Sequence, residues 1–312
     1  MAKWIGRATA LSVAMATACG GADETEPTGG AGGATGRTAA QCFADIQDGP
    51  VKMDYDQFRP TIASTCSGTN HQNIQGVERL VYLGDSITAG DFISPKYTDT
   101  LTPMIQQKFP NVSMQDCSVQ GARNNDFLAN DNQIANCFPS GVESAKTLVI
   151  ITMGGNDIAS YAKDHLPVDQ ALAQADAMLG EFREAITWLK SPEHFPNGSY
   201  VIFANVYEFT DTSGNLSSCP AAGIAGFSGT WAEGVAVLPH INEGYMKIAV
   251  DTRADMIFMA ESFCGHGFAK DDASLQCYRG PNTPAYFDLT CIHPNADGAT
   301  VIANLFMDVV NE

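Results

Sequence analysis

The chain has 312 residues, 45% of them hydrophobic, and a formal net charge of −18. This length and composition fit a globular protein that buries a sizeable core, and they exclude a chain that is fibrous or disordered throughout. So acidic a surface disfavours nucleic acid and other polyanions as partners.

The first element in chain order is a leader. Lys3 and Arg7 precede an uncharged run, Ala8 to Ala18. The run is too short to span a bilayer, so residues 1–18 read as an export signal. Two processing routes fit its end: cleavage at Ala16-Thr17-Ala18, or lipidation of Cys19. The segment resembles a bacterial lipobox, with Ala16 where leucine is usual. Residues 19–40 are rich in Gly, Ala and Thr and read as a flexible tether. Residues 41–77 form a short extension with few periodic apolar positions. The main domain runs over residues 78–312.

The chain holds nine cysteines. Setting Cys19 aside leaves an even set, which in an exported protein predicts a disulfide framework. Neighbours in sequence suggest Cys42–Cys66 and Cys117–Cys137, and leave Cys219, Cys264, Cys277 and Cys291 open. No Cys/His spacing suits zinc.

From Glu78 onward, strand and helix patterns alternate. Strands are predicted over Arg79–Leu83, Val112–Val119, Thr147–Met153, Tyr200–Val206 and Ala254–Met259. Helices are predicted over Asp99–Lys108, Val168–Leu189, Val235–Thr252 and Ala296–Val310. In the second helix, Ala171, Ala175, Met178, Phe182, Ile186 and Leu189 recur at a helical period. The strands are short, apolar and mostly unalternating, as expected when helices cover both faces. Such a series predicts an α/β fold with a mainly parallel, doubly wound sheet. Ligands of these sheets bind at the carboxyl ends of the strands.

Three motifs fall at such ends: Gly84-Asp85-Ser86-Ile87, Gly121, and Gly154-Gly155-Asn156-Asp157. A fourth, His293-Pro294, lies just before the last helix. A serine at a strand tip, a distant histidine and amide donors between them are the parts of an acyl-transfer enzyme. Ser86 is the candidate nucleophile and His293 the candidate general base, its backbone restricted by Pro294. The Ser86 and Gly121 N–H groups and the Asn156 side-chain amide are candidate oxyanion donors. Asp85 and Asp157 read as turn carboxylates that tie backbone N–H groups. The loops over 210–231 and 262–287 are rich in Gly, Ser, Pro and Cys. Tyr207, Phe209, Phe227, Trp231 and Tyr286 lie in or near them as candidate pocket walls.

The four motifs, in this order, resemble the SGNH hydrolase (GDSL lipase/esterase) superfamily. The resemblance spans residues 84–294 and implies a flavodoxin-like three-layer α/β/α sandwich and ester hydrolysis through an acyl-serine. It further implies an oxyanion hole of Ser86, Gly121 and Asn156, and no cofactor. The family usually carries an Asp three residues before the histidine, and here that position is Thr290. The nearest acid is Asp288, the candidate third catalytic residue if its loop bends back. The alternative is a main-chain carbonyl near Thr290 that orients the imidazole of a Ser–His dyad. The expected substrate is a small-molecule or lipid ester, with an acetylated polysaccharide as the alternative. The expected protein is a monomer that touches membrane only through an N-terminal lipid anchor. A surface lipoprotein that merely binds is disfavoured because Ser86, Gly121, Asn156 and His293 are all present.

Overall fold

The computed structural model describes residues 67–90, 95–129, 132–275 and 277–312. The export signal, the tether, Cys19 and the pair Cys42–Cys66 lie outside the described residues.

Five parallel strands form one sheet, in the order β2-β1-β3-β4-β5. They are β1 (Arg79–Gly84), β2 (Ser113–Asp116), β3 (Thr147–Thr152), β4 (Ser199–Ala204) and β5 (Asp255–Ile257). Each predicted strand is present, and the order is that of flavodoxin-like folds. β3 is buried at every residue, which explains its unbroken apolar run. β2 is the exception: it is an edge strand whose residues are mostly exposed. It is shorter than predicted because its regular pairing ends at Asp116. The chain still follows β1, with Cys117 N–H donating to Tyr82 O and Val119 N–H donating to Gly84 O, both at 2.9 Å.

Two helices cover each face. Helix α2 (Tyr97–Lys108), which follows the short α1 (Ser86–Ala89), packs against α9 (Ala296–Asn311). The rings of Tyr97 and Phe306 stack between them at 5.4 Å. On the other face α5 (Val168–Leu189) packs against α7 (Gly234–Thr252), where Phe182 and Tyr245 stack at 4.4 Å. The apolar periodicity of α5 is the physical cause: Ala171, Ala175, Met178, Phe182, Ile186 and Leu189 are all buried. Four short helices complete the set among the described residues: α3 (Gln133–Cys137), α4 (Gly155–Lys163), α6 (Ala222–Ala225) and α8 (Met259–Phe263). None of the described helices is long and apolar enough to cross a membrane.

β5 would be an open edge, but residues 67–72 cover it. Gly68 forms an antiparallel bridge with Ile257, and Thr69 N–H donates to Met256 O at 2.9 Å. The Asp255 carboxylate accepts from the Thr69 hydroxyl, the His71 N–H and the Gln72 amide. Occupying the free ladder of an edge strand also removes a template for aggregation.

Three disulfides join described residues. Cys117–Cys137, the expected pair, ties the end of β2 to α3. Cys264–Cys277 closes the 262–287 loop on itself, and Cys219–Cys291 bridges a separation of 72 residues.

Candidate functional site

The carboxyl end of β1 turns sharply into α1. Gly84 has φ 134°, and a Cβ there would lie 2.1 Å from the Thr152 carbonyl of β3. Only glycine lets the two strands stay paired at this point. The Gln133 side chain, fully buried, binds Gly84 on both sides: its carbonyl accepts from Gly84 N–H at 2.8 Å and its amide donates to Gly84 O at 2.9 Å. Nothing in the sequence signals this contact, since Gln133 lies outside every motif.

Asp85 caps α1. Its carboxylate accepts from Ile87 N–H and from the Thr152 hydroxyl, each at 3.0 Å. Below it runs a buried hydroxyl chain, with Thr152 to Thr88 at 2.7 Å and Thr88 to Tyr97 at 2.8 Å. Ser86 is therefore held at the first turn of a helix, where backbone N–H groups lack intrahelical acceptors.

The histidine comes from a short hairpin after the 262–287 loop. Phe287 and Pro294 form an antiparallel bridge, and Asp288 N–H donates to His293 O at 2.9 Å. Cys291 makes the turn with φ 75°, its N–H donating to Asp288 O at 3.2 Å. This closure brings Asp288 back beside His293 across five positions of sequence. His293 Nε2 lies 2.8 Å from Ser86 Oγ, and His293 Nδ1 lies 2.8 Å from the Thr290 hydroxyl. That hydroxyl also donates to the Asp288 carboxylate, which accepts the Thr290 N–H at 2.7 Å. Tyr207 supports the hairpin by donating to Ile292 O at 2.8 Å. Tyr207 is expected only as a pocket wall and Thr290 only through its main-chain carbonyl; the structure adds the hydroxyl of each, one on the hairpin and one at the ring.

Asn156 lies in the first turn of α4 and donates to Ala122 O at 3.0 Å. One of its two amide hydrogens is thereby spent on orientation, and the other remains for a ligand. Gly121, in the adjoining turn, has φ 80° and is exposed; its N–H makes no hydrogen bond to another described residue. Asp157 accepts from the backbone and side chain of Asn124, a tie between turns rather than a group facing the cavity.

Ser86, Asn156 and His293 share one cavity of about 100 Å³. Gly121 and Asp288 do not line it. Its walls are apolar, and four of the five predicted aromatics belong to them: Tyr207, Phe209, Phe227 and Trp231. The fifth, Tyr286, instead stacks on His266 at 3.7 Å. The 210–231 loop is thus a wall of the cavity. Cys219–Cys291 ties that wall to the turn that presents His293. Asp211 braces the 262–287 loop from the wall's other side, accepting the N–H groups of Gly265, Gly267 and Ala269. Among the described residues, no cluster of His, Cys, Asp or Glu could hold a metal ion.

The model of the GDSL-like Lipase/Acylhydrolase family matches residues 82–301. The chain belongs to that family. The fold agrees with solved structures of GDSL/SGNH hydrolases. A GDSL-like lipase structure from Parabacteroides merdae aligns with TM-score 0.51 at 14% identity, over 77% of this chain and 98% of that one. A gut microbial diltiazem-metabolizing enzyme aligns with TM-score 0.51 at 16% identity, over 78% of this chain. The alignment spans only 49% of that enzyme's own length. At these identities the likeness speaks for the fold alone. A comparison with curated proteins finds no significant match. A GDSL hydrolase of this family acts on esters, and the coarse reaction class of the chain is ester hydrolysis.

Burial sets the electrostatics of this GDSL hydrolase. Desolvation pushes Asp85 up to about 7, Asp157 up to about 6 and Asp211 up to about 6. It pushes Glu261, fully buried, up to about 8. In the unfolded chain these acids are already ionised at pH 6. The folded protein keeps protons on Asp157 and Asp211 up to about pH 6, on Asp85 up to about 7 and on Glu261 up to about 8. Its stability therefore falls as pH rises towards 8, between pH 6 and pH 8 mainly through Asp85 and Glu261. The melting midpoint by calorimetry is expected to be higher at pH 6 than at pH 8, and Asp85→Asn is expected to shrink the difference. An equal or higher midpoint at pH 8 would contradict this reading.

Proposed function

We propose that the chain is a serine carboxylic-ester hydrolase that works through an acyl-serine on Ser86. The observation that carries this is the 2.8 Å contact of Ser86 Oγ with His293 Nε2 at the wall of an apolar cavity. His293 takes the Ser86 proton as Oγ attacks the ester carbonyl, then returns it to the departing alcohol. The Ser86 and Gly121 N–H groups and the free Asn156 amide hydrogen receive the oxyanion. Water, deprotonated in turn by His293, releases the acid. Asp288 holds the far side of the imidazole through the hairpin.

The enclosing residues Phe227, Trp231, Leu216 and Leu238 suit the acyl part of the substrate rather than a sugar. A lipid or small-molecule ester of short to medium acyl length is therefore favoured over acetylated polysaccharide. Three disulfides support an oxidising compartment, in keeping with export and a tether at Cys19.

The test is hydrolysis of p-nitrophenyl acetate, butyrate and palmitate by the purified protein. The expected profile has kcat/KM highest for butyrate and lowest for palmitate. Absence of turnover on all three would overturn the assignment, and a preference for palmitate would overturn the chain length.

A further inference from the structure

The hydroxyl of Thr290 touches both the imidazole of His293 and the carboxylate of Asp288. It lies 2.8 Å from His293 Nδ1 and within hydrogen-bond reach of Asp288 Oδ1. We propose that Thr290 is a positioning residue, and that the working unit is Ser86–His293–Thr290–Asp288. This rests on the reading of Ser86 as nucleophile and His293 as base.

The argument is one of donors and acceptors. A threonine hydroxyl has one hydrogen to give and two lone pairs to receive with. Asp288 Oδ1 already accepts the Thr290 N–H, so this carboxylate acts as an acceptor towards the residue. The hydroxyl hydrogen therefore goes to Asp288. Its lone pairs then face His293, whose backbone N–H lies 3.3 Å from the same oxygen. Nδ1 must carry a hydrogen to bond there, which leaves Nε2 as the lone-pair nitrogen that faces Ser86 Oγ–H. The tautomer a base needs is thus set by a hydroxyl. When Nε2 takes the Ser86 proton, the imidazolium charge is felt by the Asp288 carboxylate through the polarised Thr290 O–H. No proton passes through Thr290.

The hairpin explains why a hydroxyl can serve at this position. The Phe287–Pro294 bridge and the Cys291 turn place the acid two residues further back than the family's usual spacing. Thr290, half-buried, contacts both that acid and the ring. The Cys219–Cys291 bond anchors the same turn to the cavity wall.

The experiment combines nitrogen NMR of His293 with kinetics on p-nitrophenyl butyrate for wild type, Thr290→Val, Thr290→Ser, Asp288→Asn and the Val/Asn double variant. The wild-type spectrum is expected to show a protonated Nδ1 and an unprotonated Nε2, and Thr290→Val is expected to mix the tautomers. Thr290→Val should lower kcat about 100-fold with KM within about twofold, because orientation and charge of the base act in the transition state. Thr290→Ser, which keeps the oxygen, should recover about tenfold of that loss. The double variant should fall no further than the worse single variant, because both residues act along one path. Hydrogen on Nε2 in wild type, or an unchanged kcat in Thr290→Val, would overturn the proposal. So would a Thr290→Ser variant as slow as Thr290→Val, which would mark a merely structural side chain. If wild type turns over no ester at all, the hydrolase reading falls, while the NMR result still decides what Thr290 does to the ring.

Discussion

Ser86→Ala is expected to lower kcat on p-nitrophenyl butyrate by about 10⁵-fold or more while leaving the melting midpoint within a few degrees of wild type. The side chain is half-buried at the cavity, and its oxygen contacts His293 Nε2. Removing that oxygen removes the nucleophile, and the oxyanion donors retain only what positioning can do for attack by water. Little stability should be lost, because the helix cap belongs to Asp85 and the strand pairing belongs to Gly84. The same variant should fail to take up an organophosphonate that labels wild type at Ser86. Turnover in Ser86→Ala within tenfold of wild type would place the chemistry on another residue.

Gly84→Ala is expected to destabilise the protein by about 3 kcal/mol or more, from a strained positive φ added to a backbone clash. The new methyl would meet the Thr152 carbonyl at 2.1 Å, inside the β1–β3 pairing. Relief would require the strand tips to part, and that would pull Gly84 from both of its bonds to Gln133. Urea unfolding is the measurement. A midpoint unchanged from wild type would show that the turn adapts without cost. If the variant folds, its kcat should also fall, since the tip that carries Ser86 has moved.

Much of the fold was legible for a simple reason. β1, β3 and β4 are buried on both faces, so their sequences are apolar runs that stand out from the helices between them. Because the sheet is parallel, every strand ends on the same edge, and motifs scattered from Gly84 to Asp157 had to converge there. β2 was overextended because an exposed edge strand lacks that signature. The short helix α4 has no helix signal of its own at its start, because Gly154 to Asp157 reads as a motif turn. The site was less legible than the fold. Ser86, Asn156 and His293 were found from motif order. At Thr290 the sequence offers a main-chain carbonyl as the group that orients the ring, whereas the structure puts the side-chain hydroxyl there.

The sequence by itself determined the alternation of strands and helices and the order of the four motifs, and it suggested the Cys117–Cys137 pair that the structure contains. These depend on local burial, turn chemistry and short separations, which leave a record in neighbouring residues. Only the tertiary structure decided that Gln133 braces Gly84 from 49 positions away and that Cys219 reaches Cys291 across 72. It also decided that the 210–231 loop walls the cavity, and that the Thr290 hydroxyl touches both His293 and Asp288. Contacts of that kind are made by chain closure and by side-chain direction within a hairpin, and neither leaves a periodic trace in the sequence.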